Sequence, residues 1–212
     1  KFPDLPSSEI QVLGALKSGV AGVENLNSLL QQALNPFAYG KGELQVGKNV
    51  IRVGDRVMQT VNNYELPFVR YLTNGSVEKG QGVFNGDIGV VQAIDRSSGT
   101  VNVLYDDNRL ATYSQQDIFD IQLAYAITIH KSQGCEFDVV AVALVNGPPT
   151  LIKQNLLYTA MPRANTADVH VGSKHVLAPM IHNTTIDARP RTLSRSFKSL
   201  NDISSHYFGR TE

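Results

Sequence analysis

Residues 123–145 read LAYAITIHKSQGCEFDVVAVALV. An apolar run from Leu123 to Thr128 is followed by polar and small residues from His130 to Glu136, and then by a second apolar run. Asp138 to Val145 is short and almost continuously apolar, the pattern of a strand covered on both faces, which is the habit of parallel sheets. Ligands of open parallel sheets gather at the carboxyl ends of strands, so Thr128–Phe137, TIHKSQGCEF, is expected to occupy such an end. There His130, Lys131, Ser132 and Gln133 offer donors for phosphate oxygens. Gly134 permits close backbone approach, and Glu136 can accept a hydroxyl such as that of a ribose. A polar turn without any ligand accounts for the same composition.

Working outward, α/β character flanks this stretch on both sides. Ile10 to Leu16 suits a buried strand, and Lys17-Ser18-Gly19 a turn. Between Gly22 and Leu34, Val23, Leu26, Leu29, Leu30, Ala33 and Leu34 recur at helical spacing before the Asn35-Pro36 stop, so these six are expected to form the inward stripe of a helix. Downstream, Ile152 to Ala160 reads as a helix, Asp168 to Gly172 as a strand and Lys174 to His182 as a helix. Strands alternating with helices imply a largely parallel sheet.

From about residue 48 to 118 the period changes. Short β-type runs at 50–53, 56–61, 88–94, 100–105 and 110–113 are separated by turn residues, and Ser97-Ser98-Gly99 and Asp106-Asp107-Asn108 suit tight hairpins. The runs at 88–94, 100–105 and 110–113 are expected to form a meander. Leu66 to Gly82, with Asn74-Gly75 and Gly80-Gln81-Gly82, reads as a polar loop outside the core. The expected organisation is one discontinuous α/β domain, residues 1–47 and 119–190, interrupted by a small β-barrel at 48–118 and followed by a tail at 191–212.

Composition narrows the classes. Of 212 residues, 42% are hydrophobic and 18% charged, as in folded globular proteins. Lys plus Arg and Asp plus Glu are 19 each, so any nucleic-acid surface must be local. A single cysteine, Cys135, permits no internal disulfide and no thiolate cluster, which fits the cytoplasm. The apolar run Val139 to Val145 is far shorter than the roughly 20 residues of a membrane helix. The chain opens on Lys1, as a piece cut from a longer polypeptide would. His170, His175, His182 and His206 show no metal-ligand pattern with acidic partners, so no metal site is expected.

A second stretch, Tyr158-Thr159-Ala160-Met161-Pro162-Arg163-Ala164, lies at a helix end ahead of the Asp168 strand. With TIHKSQGCEF it resembles motifs V and VI of superfamily 1 helicases, in the form used by the RecD-like branch. The resemblance runs over roughly residues 9 to 173 and takes in Gln11-Val12-Leu13, the helix with Asn25-Leu26-Asn27 and Leu29-Leu30-Gln31, Val53-Gly54-Asp55-Arg56-Val57-Met58, and Phe84-Asn85-Gly86-Asp87-Ile88-Gly89. It implies a RecA-like motor domain carrying an inserted SH3-like barrel. It implies that Thr128, His130 and Lys131 lie near single-stranded DNA, with Lys17 as a further phosphate contact. It also implies that Gln133, Gly134 and Glu136 face ATP, and that Arg163 is the catalytic arginine finger reaching the γ-phosphate.

The chain departs from that pattern in places. Pro162 stands where the family usually has Thr, and Ala15-Leu16-Lys17-Ser18 leaves one basic residue where two are usual. Cys135 replaces a common Ser and is expected to be a packing neighbour. No G-x-x-x-x-G-K-[ST] loop, Asp-Glu pair or Phe-Arg-Gln segment occurs. ATP and Mg²⁺ are therefore expected to serve a parent protein with a further N-terminal motor domain, moving 5′ to 3′ on single-stranded DNA, alone or within an exodeoxyribonuclease V-type nuclease complex. The fragment by itself is expected to bind no cofactor and to be inactive. The rival expectation is a non-catalytic nucleic-acid or protein-binding module on a degenerate helicase fold.

Overall fold

Ile10, where the first expected strand begins, also opens the first strand of a computed structural model that describes residues 9–72, 75–144 and 153–183. In chain order the elements are β1 (Ile10–Gly14), α1 (Val23–Leu34), β2 (Glu43–Val46), β3 (Asn49–Arg52), β4 (Arg56–Gln59), β5 (Asn63–Tyr71), β6 (Val77–Val83), β7 (Ile88–Asp95), β8 (Thr100–Tyr105) and β9 (Arg109–Tyr113). They continue with β10 (Ile121–Leu123), β11 (Ala126–Thr128), β12 (Phe137–Leu144), α2 (Gln154–Ala160), β13 (Ala164–Gly172) and α3 (Lys174–His182).

Four strands form a parallel sheet in the order β11-β1-β12-β13. Leu13, Val140 and Val142 are wholly buried on the face that meets Leu156 and Leu157 of α2 and Val176 and Met180 of α3. Full burial of each such side chain is worth about 1.5–3 kcal/mol. Between β1 and β11 the chain leaves this sheet to build an antiparallel one of seven strands, ordered β10-β4-β7-β8-β9-β5-β6, with a second core around Val57, Val101, Val103, Ala111 and Tyr113. The meander β7-β8-β9 forms as expected. Its first turn is held by Asp95, which accepts from the Ser97 and Ser98 hydroxyls; these bonds pull its carboxyl down to about 2. Asn108 supplies φ 63 at the second turn.

Four expectations need correction. Leu66 to Gly82 is no loop but most of the hairpin β5–β6, with Leu66 only 2% exposed. Its glycines serve packing: Phe68 lies opposite Gly80, where an added Cβ would come within 2.5 Å of the Phe68 ring. The same ring is flanked by the guanidinium groups of Arg70 and Arg109, each about one ring-contact distance away at 5.6 and 5.5 Å. Residues 73 and 74, and with them the expected Asn74 turn position, lie outside the described residues.

The run Leu123 to Thr128 is likewise two strands, not one. β10 completes the antiparallel sheet beside β4, and β11 is an edge of the parallel sheet. The crossing is fixed where the Ala124 N–H donates to Arg56 O at 2.8 Å.

The third correction concerns α1, whose buried residues are Val23, Asn27 and Gln31, while Leu29 and Leu34 are 53% and 50% exposed. The helix turns a polar face inward because that face has backbone and carboxylate partners waiting. The Asn27 side chain both donates to Ala126 O at 2.9 Å and accepts from Ala126 N at 2.8 Å. Finally, β structure begins ahead of residue 48, where β2 pairs with β3, the strand expected at 50–53. The tail 191–212, residues 1–8 and Ile152 lie outside the described residues.

Candidate functional site

The register of the parallel sheet fixes where each motif residue sits. Thr128 is level with Gly14, and Gly14 with Ala143, so the start of TIHKSQGCEF is at the carboxyl end, as expected. Phe137, at its finish, pairs with Ala164 at the opposite end. Six residues of β12 separate Phe137 from Ala143, roughly 20 Å at 3.3 Å each. The expectation that the whole stretch occupies one carboxyl end is therefore corrected: a single 3₁₀ turn, Ile129–Ser132, and Gln133–Glu136 carry it back along the sheet.

At the carboxyl end, the Thr128 hydroxyl accepts from Lys131 N at 3.3 Å and so caps the turn. His130 is exposed and Lys131 half-buried. Burial lowers the Lys131 pKa, and the positive charge of Lys17 lowers it further. Two lysines distant in sequence thus feel each other at the same sheet end. Lys17 is highly exposed and has a loose ion pair with Glu24 at 3.7 Å, worth little in solvent. Ser132 is not available to a phosphate: it is wholly buried, and its hydroxyl donates to Ile129 O at 2.8 Å.

At the amino end, Glu136 immediately precedes Phe137 and Arg163 immediately precedes Ala164, so strand pairing sets the two side by side. Gln133, Gly134 and Glu136 are exposed, and Gly134 takes φ 89, a left-handed turn that suits glycine alone. α2 tightens into the 3₁₀ turn Met161–Arg163, which tolerates Pro162 near its first positions. Arg163 donates from Nε to Thr159 O and from Nη1 to Cys135 O, both at 3.3 Å. The second bond ties motif VI to motif V. Burial raises the Cys135 thiol pKa, which argues against a nucleophile, although the Arg163 charge opposes that shift.

The amino end abuts the antiparallel sheet. A cavity of about 590 Å³ lies between them, lined on one side by Val12, Leu30 and Glu136 and on the other by Gly54, Arg56 and Val90. His170, read above as lacking an acidic partner, has Nε2 2.9 Å from Asp168 Oδ2 on the same strand. A lone pair of this kind makes no metal centre. Sequence reasoning missed a further cluster: Asp55, wholly buried, accepts from Gln31, Asn35 and Tyr125. The signal was present in α1, where Asn27, Gln31 and Asn35 recur at four-residue spacing.

The family described as the ATP-dependent RecD-like DNA helicase SH3 domain matches residues 26–105, and the UvrD-like helicase C-terminal domain matches residues 123–167. The ATP-dependent RecD2 DNA helicase of Deinococcus radiodurans is 30% identical over 164 residues, covering 77% of this chain and 20% of that protein. The RecBCD enzyme subunit RecD of Mycolicibacterium smegmatis is 31% identical over 180 residues, covering 85% of this chain and 28% of that protein. The chain thus spans only 20% and 28% of the length of these relatives. Among solved structures, Bacteroides Pif1 bound to single-stranded DNA superposes with a TM-score of 0.53 at 20% identity, over 96% of this chain and 46% of that one. That likeness concerns the fold: a RecA-like parallel sheet carrying an SH3-like antiparallel insertion.

Proposed function

The chain belongs to the RecD-like superfamily 1 helicases, as a C-terminal region with the SH3-like and UvrD-like parts, and on that premise we propose that it is half of an ATP-driven motor moving 5′ to 3′ on single-stranded DNA. The observation that carries this reading is the division of one ten-residue stretch between two sheet ends, a lysine pair at one and Glu136 with Arg163 at the other.

The groups at the amino end fit a nucleotide. Arg163 is a planar, permanently charged fork suited to a γ-phosphate, and Glu136 is an exposed acceptor suited to a ribose hydroxyl. When bound with Mg²⁺ held by an N-terminal motor domain of the parent protein, ATP supplies the hydrolysable anhydride. Arg163 then moves toward the γ-phosphate, and its bond to Cys135 O pulls the motif V segment with it. Lys131, His130 and Lys17 hold phosphates of the single strand at the far end, and the backbone between shifts their grip. In this reading the insert expected at 48–118, together with β2 and β10 at its borders, is a separate unit, the protein works in the cytoplasm, and assembly with nuclease subunits is open to the parent.

The test is phosphate release with single-stranded DNA present. The 212-residue chain is expected to release none, and a longer polypeptide including an upstream motor domain is expected to turn over in a DNA-dependent way. A longer polypeptide that binds DNA yet never hydrolyses ATP would favour the non-catalytic module.

A further inference from the structure

Asp55 lies where the polypeptide enters the antiparallel sheet, one residue ahead of β4, and its carboxylate is wholly buried. Oδ1 accepts from Asn35 Nδ2 at 2.6 Å and Tyr125 Oη at 2.8 Å; Oδ2 accepts from Gln31 Nε2 at 2.5 Å and Arg52 N at 2.7 Å. Each oxygen thus receives two donors, and the donors come from different parts of the molecule. Gln31 and Asn35 belong to α1 and its carboxyl cap on the parallel-sheet side. Arg52 ends β3. Tyr125 lies on the return crossing, between β10 of one sheet and β11 of the other. One side chain therefore binds both crossings and the helix that precedes them.

The junction holds other directional bonds, among them Ala124 N–H to Arg56 O at 2.8 Å, Gln31 Nε2 to Val50 O at 2.8 Å and Asn35 Nδ2 to Val53 O at 3.2 Å. Each of these joins two places, whereas Asp55 joins α1, β3 and the return crossing at once. Met58 and Ile88 reach from the antiparallel sheet into the core of the parallel unit, but apolar contact sets proximity rather than angle. Beside them is the 590 Å³ cavity, with Asn35 and Tyr125 in its lining, so the units are not packed tightly across the whole junction. Hydrogen bonds to a buried charge are short, strong and oriented. We propose that Asp55 is the positioning residue that sets the angle of the SH3-like unit on the motor domain, holding both crossings and α1 through its four bonds.

The geometric claim stands on the structure alone; its consequence for unwinding rests on the helicase reading. The two are tested separately. Nitroxide labels at Gln32→Cys on α1 and Lys79→Cys on β6, in the full chain with Cys135→Ser, report the distance between the units. A single narrow distance population is expected with Asp55 in place. Asp55→Asn puts an amide N–H₂ where two donors point, and the population is expected to broaden or split while circular dichroism keeps both sheets folded. Tyr125→Phe removes one donor hydroxyl only and is expected to give an intermediate broadening, which serves if Asp55→Asn does not fold.

An unchanged narrow distance in Asp55→Asn, or in Tyr125→Phe where that variant alone folds, overturns the proposal. In the parent helicase, Asp55→Asn is expected to retain DNA-stimulated hydrolysis and to lose strands separated per ATP; unwinding per ATP equal to that of the unsubstituted parent overturns the functional consequence. If the unsubstituted parent shows no hydrolysis, the helicase reading fails, and the label distances still decide the clamp.

Discussion

The carboxyl and amino ends of the parallel sheet hold their charges in different ways. At the carboxyl end, Lys17 and Lys131 have little direct restraint on their ammonium groups, and they repel each other. At the amino end, Arg163 is fixed by two carbonyl oxygens and set beside Glu136 by strand register. Loose like charges suit a polyanion that must slide, whose binding comes largely from released counterions. An oriented fork suits one phosphate in one geometry. Strand pairing, rather than sequence proximity, decides which residues of the motif lie together.

The sharpest way to break this comparison is Arg163→Ala in the parent protein. Hydrolysis is expected to fall by about 10³-fold or more, as on loss of other arginine fingers, while single-strand affinity stays within error. Arg163→Lys should recover little, because a lysine cannot span the carbonyls of Thr159 and Cys135 together. Steady-state phosphate release checks both, and an unchanged rate would remove the amino end from the chemistry.

Lys131→Ala addresses the opposite end. The slope of log affinity against log salt should become shallower by about 0.7, the share of one single-strand phosphate, with ATP affinity unchanged. Lys17→Ala should act in the same direction but more weakly, since that side chain is freely exposed and shared with Glu24. Fluorescence anisotropy across a salt series reads both; a slope indifferent to Lys131 would remove Lys131 from the contacts assigned to this end.

Acidity sharpens the same assignment. The folded-state pKa of Lys131 lies below that of an ordinary lysine, through burial first and Lys17 second. Between the two values the unfolded chain carries more protons than the folded one, so this contribution to stability rises with pH across that window. Single-strand binding should weaken over the same window, at lower pH than an exposed lysine would give. In Lys17→Ala the midpoint should move up. A midpoint blind to Lys17 would mean the two ammonium groups do not interact.

The smallest expected effect is that of Thr128→Val. Removing the hydroxyl that caps the 3₁₀ turn should cost about 0.5–1 kcal/mol in thermal or denaturant unfolding, with hydrolysis in the parent nearly unaffected. A large loss of hydrolysis would show that the two sheet ends are not separable.

Much of this organisation was legible in the sequence, for physical reasons that also explain the failures. β12 and the meander β7–β8–β9 show their period and turn chemistry locally, so the change from parallel to antiparallel architecture could be read directly. The hairpin β5–β6 was hidden because its glycines make room for Phe68, a cross-strand relation that no local window contains. The inward face of α1 escapes a rule that buries apolar residues, because the partners of Asn27 and Gln31 lie up to 99 residues away. For the candidate site, residue types were legible and their division was not: only the pairing of Phe137 with Ala164 and of Thr128's level with Gly14 separates Glu136 from Lys131.

The bond pair between Asn27 and Ala126 also bears on self-association. Among the described residues β11 is an edge of its sheet, and an unpaired edge can template another chain. Asn27 occupies both the N–H and the C=O of Ala126, imitating a neighbouring strand without offering an edge of its own. Asn27→Ala should therefore leave the edge open to pairing between molecules, and light scattering of the concentrated chain should rise with time at temperatures where the unsubstituted chain stays monodisperse. Such a rise would make a side chain at the helix–sheet contact a guard against aggregation.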